Sequence, residues 1–196
     1  MEQLATICVY AGSRSDVADE YVQAAQDLGG AIAGSGRRLV YGGGRRGLMG
    51  VVADSALAAG GEVVGIIPRQ LHRVEVTHHG VTELLVVESM HERKQLMADR
   101  SDAFVALPGG IGTLEELVEV WTWTQLGYHT KPCGLLNPRG YYDGLIAFFD
   151  HAVAEGFLAQ QGRDLLFVSR DPVDLLAQLD AARPPQHPRL VDQDSL

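Results

Sequence analysis

Several features are scarce in this sequence of 196 residues. Its two cysteines, Cys8 and Cys133, lie in apolar, strand-like runs, so we expect buried reduced thiols rather than a disulfide. No CxxC or HExxH motif appears, and we expect no metal site. The sequence has no uncharged apolar stretch of about 18 residues and no basic N-terminal region of the signal-peptide type. We therefore expect a soluble, cytoplasmic protein.

Basic charge is also in short supply. Lys and Arg number 16 against 25 for Asp and Glu, so the formal net charge is −9. An acidic chain without a basic run argues against nucleic acid or an anionic membrane as a partner. It does not exclude one small anionic ligand, because local groups set the potential at a single site.

The apolar residues predict the fold class. Short runs rich in Val and Ile alternate with longer helical stretches, and the runs are nearly continuous, as in a parallel sheet covered on both faces. This order predicts an α/β fold, a Rossmann-like doubly wound parallel sheet with helices on both faces. We expect one domain over residues 1–182 and a flexible, proline-containing tail over 183–196. The predicted strands are Thr6–Tyr10, Arg38–Tyr41, Glu62–Ile67, Glu83–Glu88, Ala103–Leu107, Cys133–Leu136 and Leu165–Val168, and the predicted helices are Val17–Ala33, Gly47–Ala59, Met90–Arg100, Leu114–Leu126, Tyr142–Glu155 and Pro172–Ala181.

Glycine is the residue in excess, at 23 of 196 or about 12%, where about 7% is usual. Much of the excess lies in loops that directly follow predicted strands. In doubly wound sheets ligands bind beyond the carboxyl ends of the strands. These loops are therefore the candidate site.

The loop after the second predicted strand reads GGGRRGLMG over residues 42–50. Successive glycines expose backbone N–H groups, and the following helix points its positive end at the same place. The last two glycines are also explained by a tight turn with close helix packing. The pattern is not a P-loop, and no GxGxxG follows the first strand, which argues against an NAD(P)-dependent oxidoreductase. We predict that this loop binds phosphate through Gly42, Gly43, Gly44, Arg45, Gly47 and Met49.

The loop after the fifth predicted strand reads PGGIGTLEE over residues 108–116. Thr113 and Glu116 have the spacing of a capping box, which would give Glu116 a purely structural role. A carboxylate beside a glycine-rich anion site is equally well placed for chemistry. Both interpretations of Glu116 remain open at this point.

A third segment, SMHERKQLM over residues 89–97, begins another predicted helix at the same edge. Arg93 and Lys94 are unfavourable near a helix N-terminus, because the helix dipole is positive there. The alternatives are a functional role and simple solvation.

Together these segments resemble the Lonely Guy family of cytokinin riboside 5′-monophosphate phosphoribohydrolases, often catalogued as lysine decarboxylases. The resemblance runs from about Thr6 to Leu179 and rests on GGGRRGLMG, SMHERKQLM and PGGIGTLEELVEVWTWTQLG. It implies hydrolysis of the N-glycosidic bond of an adenosine 5′-monophosphate, with or without an N6 substituent, giving free base and ribose 5-phosphate. It also implies a homodimer with sites near the subunit interface, and no cofactor.

The resemblance also implies roles for individual residues. Arg93 and Glu116 match the catalytic pair of the family, and Glu75 and Lys94 match substrate-binding positions. The further substrate-binding positions are Gly109, Gly110, Ile111, Gly112, Thr113, Leu114 and Glu115.

A non-catalytic nucleotide or molybdopterin-type carrier on the same fold is the main alternative. The pair Arg93 and Glu116 favours the enzyme, because a binding protein has no need of a carboxylate near an anionic ligand. A lysine decarboxylase would need a cofactor lysine with its supporting residues, and nothing in the sequence supports one.

Overall fold

Strands and helices alternate along residues 4–74 and 77–183, the part of the chain that this computed structural model describes. The strands are β1 (Thr6–Tyr10), β2 (Arg38–Tyr41), β3 (Val63–Pro68), β4 (Glu83–Val87), β5 (Ala103–Ala106), β6 (Cys133–Leu136) and β7 (Leu166–Ser169). The helices are α1 (Asp19–Gly34), α2 (Gly47–Ala58), α3 (Arg69–Val74), α4 (Met90–Asp99), α5 (Ile111–Leu126), α6 (Asp143–Ala154), α7 (Gln160–Arg163) and α8 (Pro172–Ala181), with a 3-10 turn at Pro138–Gly140.

The seven strands form one sheet in the order β4-β3-β2-β1-β5-β6-β7, and each pairing between neighbours is parallel. The predicted Rossmann-like, doubly wound fold is therefore confirmed. Strand order reverses between β1 and β5, where Tyr10 pairs with Ala106 at the carboxyl ends. Beyond this point the Gly12 N–H donates to the Pro108 carbonyl at 3.1 Å. The loops after β1 and β5 thus flank the crevice in which such folds bind ligands.

Strand residues alternate between two apolar cores, one on each face of the sheet. In β1, Ile7 and Val9 pack with helices α1, α2 and α8, whereas Cys8 and Tyr10 pack with α4, α5 and α6. Because both faces are covered, the buried residues of β1 form an almost continuous apolar run after Thr6. Cys8 and Cys133 are both buried and free, as expected.

Some boundaries differ from those predicted. The short helices α3 and α7 were not predicted, and α5 begins at Ile111 rather than Leu114. The proposed tail lies outside the described residues from position 184 onward. Within the described ranges, no helix is both long enough and apolar enough to cross a membrane.

Candidate active site

A cavity of about 580 Å³ opens at the switch point between β1 and β5. Its walls come from the loops that follow these two strands and from the first turns of α2, α4 and α5. Both Arg93 and Glu116 line it, although they are separated by a strand and two loops in the sequence. The fold therefore brings the predicted catalytic pair into one site.

The centre of the site is an ion pair between these two side chains. Arg93 Nη1 lies 3.1 Å from Glu116 Oε1, and the side chains are only 8% and 11% exposed. A buried pair loses much of its hydration, and the mutual attraction has to offset that cost. Such a pair is retained more readily for function than for stability.

Backbone carbonyls fix the Arg93 guanidinium. Its Nε donates to the Ile66 carbonyl at 3.2 Å, and its Nη2 approaches the Gly42 carbonyl at 3.5 Å. A Cβ at residue 42 would overlap the guanidinium. Gly42 is therefore needed to leave room for Arg93, a role that the glycine run did not reveal.

The start of α4 turns Arg93 toward the site. Ser89 is the N-cap, and its hydroxyl accepts a hydrogen bond from the Glu92 N–H at 3.1 Å. The Glu92 carboxylate accepts in turn from the Glu88 N–H at 2.8 Å. Arg93 follows in the first turn and is buried, whereas Met90, His91 and Glu92 before it are exposed.

Burial raises the pKa of Glu116, and the adjacent Arg93 charge opposes that rise. The nearby carboxylate of Glu115 raises the pKa further, and Lys94 lowers it. The Arg93 charge therefore favours the ionised form of Glu116, and the ion pair holds the carboxylate at a fixed point inside the cavity.

Helix α5 presents its N-terminus to the same cavity. Its N-cap is Gly110, with no side-chain cap, so the first N–H groups of the helix have no side-chain acceptor at that position. A Cβ on Gly110 or Gly112 would meet nothing within 4 Å. Both glycines therefore border open space, and this end of the helix is suited to an anion.

The capping box that the spacing of Thr113 and Glu116 allowed does not form. Because α5 begins three residues earlier than predicted, Thr113 lies inside its first turn, 5% exposed, and its side chain packs against Gly109. Glu116 is free of a capping role and faces Arg93 instead. The capping interpretation of Glu116 is therefore wrong, and its chemical role stays a prediction.

Lys94 faces two other carboxylates. Its Nζ lies 2.5 Å from Glu115 Oε1 and 3.0 Å from Glu119 Oε1. Burial lowers the pKa of Lys94, but the two hydrogen-bonded carboxylates outweigh it and the net shift is upward. Lys94 does not line the cavity, whereas Glu115 does, so their pair connects α4 to the rim of the site.

The remaining predicted residues divide between the cavity and its surroundings. Those that line it are Gly109, Gly110, Ile111, Gly112, Thr113 and Met49. Leu114 is partly buried and packs against the core, and Glu75 lies outside the described residues. Residues 42–44 are buried behind the site, where the Gly43 carbonyl accepts from the His78 N–H and Gly44 pairs with Thr77.

Two tyrosines, Tyr141 and Tyr21, line one side of the cavity, and neither was predicted from the sequence. Tyr141, in the loop before α6, lines the cavity and donates from its hydroxyl to the Gly109 carbonyl at 2.6 Å. Its ring packs edge-on against Tyr21 of α1, with ring centroids 5.6 Å apart. The only signal in the sequence is the adjacent pair of tyrosines after a strand, which has no specific meaning alone.

Comparisons with known proteins agree with this geometry. The pattern of a family described as "Possible lysine decarboxylase" matches residues 49–179. A cytokinin riboside 5′-monophosphate phosphoribohydrolase of Rhodococcoides fascians is 50% identical over 167 residues, which cover 85% of this chain and 84% of the relative. The chain belongs to this phosphoribohydrolase family. The Lonely Guy resemblance is thereby confirmed.

Two more relatives extend the family comparison. A phosphoribohydrolase of Arabidopsis thaliana with the same substrate in its name is 47% identical over 178 residues, covering 91% of this chain and 83% of the relative. Among solved structures, a molybdenum cofactor carrier protein of Chlamydomonas reinhardtii is 25% identical with a TM-score of 0.70, covering 92% of this chain and 100% of the carrier. The phosphoribohydrolase family thus shares its fold with a carrier.

Proposed function

We propose that this protein hydrolyses the N-glycosidic bond of adenosine 5′-monophosphates, with or without an N6 substituent. The products would be the free base and ribose 5-phosphate. The observation that carries the proposal is the buried pair of Arg93 and Glu116 beside the N-terminus of α5, all within one cavity. Membership of the phosphoribohydrolase family supports the same reaction.

The 5′-phosphate would lie at the N-terminus of α5. Backbone N–H groups of residues 110–113 and the positive end of a 16-residue helix favour an anion there. Gly12 and Ser13, from the loop after β1, face the same part of the cavity. Gly42, Gly43 and Gly44, proposed from the sequence as phosphate ligands, line neither this cavity nor its neighbour, so they would act by making room for Arg93 and for packing.

Glu116 would stabilise the transition state of bond cleavage. As the C1′–N9 bond breaks, its electron pair goes to the base and positive charge develops on the ribose. An ionised carboxylate that is largely buried in the cavity offsets that charge, and it can accept a hydrogen bond from the attacking water. Water adds to C1′, one of its protons leaves with the base, and ribose 5-phosphate remains.

Arg93 would act on the same step in two ways. It favours the ionised form of Glu116, and it holds the carboxylate in one position because its own guanidinium is fixed by the Ile66 carbonyl. Fixed geometry at the reacting centre lowers the barrier by removing the need for reorientation. Leu71 and Met90 supply apolar surface on the remaining wall, which suits a flat purine.

We also propose that the protein acts as a homodimer with its sites near the interface. Ile111 is 88% exposed and Met90 is 42% exposed, and both lie at the cavity. Apolar side chains at this position are suited to contact with a second copy. Light scattering after gel filtration tests the mass, and a monomer at micromolar concentration would contradict the dimer.

We place the reaction in the cytoplasm. The buried thiols of Cys8 and Cys133 are unpaired, which is typical of proteins in reducing compartments. Fractionation of cells that express the chain, followed by immunoblotting, tests this location.

One assay tests the activity directly. Purified protein is incubated with AMP and with isopentenyladenosine 5′-monophosphate, and free base and ribose 5-phosphate are separated by chromatography. We expect both products in equal amounts from at least one substrate. Tight binding of either substrate without release of its base would favour a non-catalytic carrier and would contradict the proposed hydrolase activity.

A further inference from the structure

A second cavity, of about 510 Å³, adjoins the first. Ser13, Arg14 and Met49 line both cavities, so the two lie on either side of these residues. The second cavity is completed by Ser15, Asp16, Arg45 and Arg46, and we call it the arginine cavity. The reaction proposed above makes no use of it.

The arginine cavity is strongly cationic for an acidic protein. Three arginines line it against one carboxylate, that of Asp16. Within the described part of the chain, none of Arg14, Arg45 and Arg46 forms an ion pair. Most other described arginines do, as Arg38 does with Glu62 and Arg100 with Glu83. Unpaired arginines that converge on a cavity are suited to an anionic ligand.

The backbone that carries these arginines is tightly packed. Gly47 has a φ of +59°, and a Cβ there would lie 2.6 Å from the Gly12 and Arg14 carbonyl oxygens. The Gly47 N–H donates to the Ser15 hydroxyl at 3.3 Å, and the Met49 N–H donates to the Gly12 carbonyl at 3.4 Å. The loops after β1 and β2 are therefore joined along their length, which holds the bases of the three arginine side chains in a fixed arrangement.

We propose that the arginine cavity binds the β- and γ-phosphates of a nucleoside 5′-di- or triphosphate. The α-phosphate of that ligand occupies the N-terminus of α5, and Ser13 and Arg14 lie along the route between the two cavities. This inference rests on the proposed function for the position of the α-phosphate, base and ribose. Its consequence is that nucleoside di- and triphosphates compete with the monophosphate and bind more tightly.

Calorimetry with AMP, ADP and ATP in the absence of divalent cations tests the proposal. For the wild-type protein we expect ADP and ATP to bind about tenfold more tightly than AMP, because charge-assisted hydrogen bonds from arginine to phosphate are strong. The double variant Arg45→Ala/Arg46→Ala should lose this preference. The control Arg100→Ala, which removes a cation that is already paired with Glu83, should keep it.

Release of base from AMP is measured on the same samples. The proposal that the arginine cavity binds phosphate is overturned if the wild type binds AMP and ADP with equal affinity. It is also overturned if the double variant still binds ADP more tightly than AMP. Either result counts even where base is released. If the protein prefers ADP and ATP to AMP only when both arginines are present, phosphate binding by the arginine cavity is supported. If that protein also releases no base, the proposed hydrolysis is contradicted. Because Arg45 and Arg46 are exposed, thermal unfolding should show both variants to be folded.

Discussion

The Nη1 atom of Arg93 lies 3.1 Å from Oε1 of Glu116, and the two side chains, 8% and 11% exposed, face one cavity at the switch point of the sheet. The tertiary fold, rather than the local sequence, brings these two residues together. Arg93 comes from the capped first turn of α4, and Glu116 from the second turn of α5. Parallel strands that end at the same edge bring the two helix starts together.

Replacement of the carboxylate tests its part in the reaction. Glu116→Gln keeps the size and a hydrogen-bond acceptor for Arg93 but removes the negative charge, so we expect kcat to fall by about 10²–10³-fold. Steady-state release of base measures the change, with Glu119→Gln, one turn along the same helix, as the control. Wild-type turnover in Glu116→Gln would leave this residue with no chemical role.

The dependence of kcat/KM on pH should reveal how Arg93 affects the pKa of Glu116. Burial raises the pKa of Glu116 and the Arg93 charge opposes the rise, so removal of that charge should raise the pKa further. Because the ionised carboxylate is the active form, activity is lost as the pH falls through this pKa. We expect the acid limb of kcat/KM to move to higher pH in Arg93→Gln.

Arg93→Lys serves as the control for that shift, since it keeps the positive charge. Its acid limb should stay near that of the wild type, although its rate falls because lysine cannot reproduce the contacts with the Ile66 and Gly42 carbonyls. If kcat/KM falls at the same acidic pH in Arg93→Lys and Arg93→Gln, the ionisation of Glu116 does not set the acid limb.

The fold could be predicted from the sequence because its strands are buried on both faces. Continuous apolar runs such as TICVY in β1 and AFVA in β5 indicate a parallel sheet without any knowledge of pairing. The helices α3 and α7 escaped prediction because six and four residues are too short to show a helical period.

The motif residues of the site were predictable, but their local roles were not. The glutamate form of the capping-box spacing, Ser/Thr-x-x-Glu, occurs twice, at Ser89 with Glu92 and at Thr113 with Glu116. Only the first pair makes a capping interaction with the first turn of its helix, through the Ser89 hydroxyl. A capping pattern has meaning only at the residue where the helix begins, and packing of the Gly109–Gly110 turn starts α5 before Thr113.

Ser89 offers a way to measure this cap. In Ser89→Ala, the Glu92 N–H loses its acceptor, and the free energy of unfolding should fall by about 1 kcal/mol. Urea denaturation measures the loss. Thr113→Val is the matched variant at the other site: it removes the hydroxyl and keeps the shape, and it should show no capping loss, because that hydroxyl makes no capping bond.

Glycine at position 42 should matter for activity more than for stability. A Cβ there meets the end of the Arg93 side chain rather than backbone, so Gly42→Ala can fold if the guanidinium moves. We expect a protein with a melting temperature near that of the wild type and a kcat reduced by about tenfold or more, since displaced geometry at the reacting centre is costly.

Gly112→Ala is the control for an added methyl group, since its Cβ would have open space. It borders the proposed phosphate position, so its effect should appear in KM rather than kcat. A Gly42→Ala enzyme with full kcat would show that the position of the Arg93 guanidinium is not critical.

Tyr141 is the residue that no motif indicated, because its contact with Gly109 spans 32 positions in the sequence. Its hydroxyl donates to the carbonyl of the turn that begins α5, 2.6 Å away, so it should help to hold the N-terminus of that helix toward the phosphate. In Tyr141→Phe the ring contact with Tyr21 is kept and only this hydrogen bond is lost. We expect KM for AMP to rise by about 3–10-fold, which corresponds to about 1 kcal/mol for one such bond.

The comparison of nucleotide with nucleoside separates positioning from general damage. If Tyr141 acts through the phosphate site, the weak hydrolysis of adenosine should be equal in wild type and Tyr141→Phe, while hydrolysis of AMP differs. Tyr128→Phe, which changes another exposed tyrosine outside the cavity, should affect neither substrate. A loss of the same size for adenosine and AMP would assign Tyr141 to the stability of the turn, because a structural defect does not distinguish substrates by their phosphate.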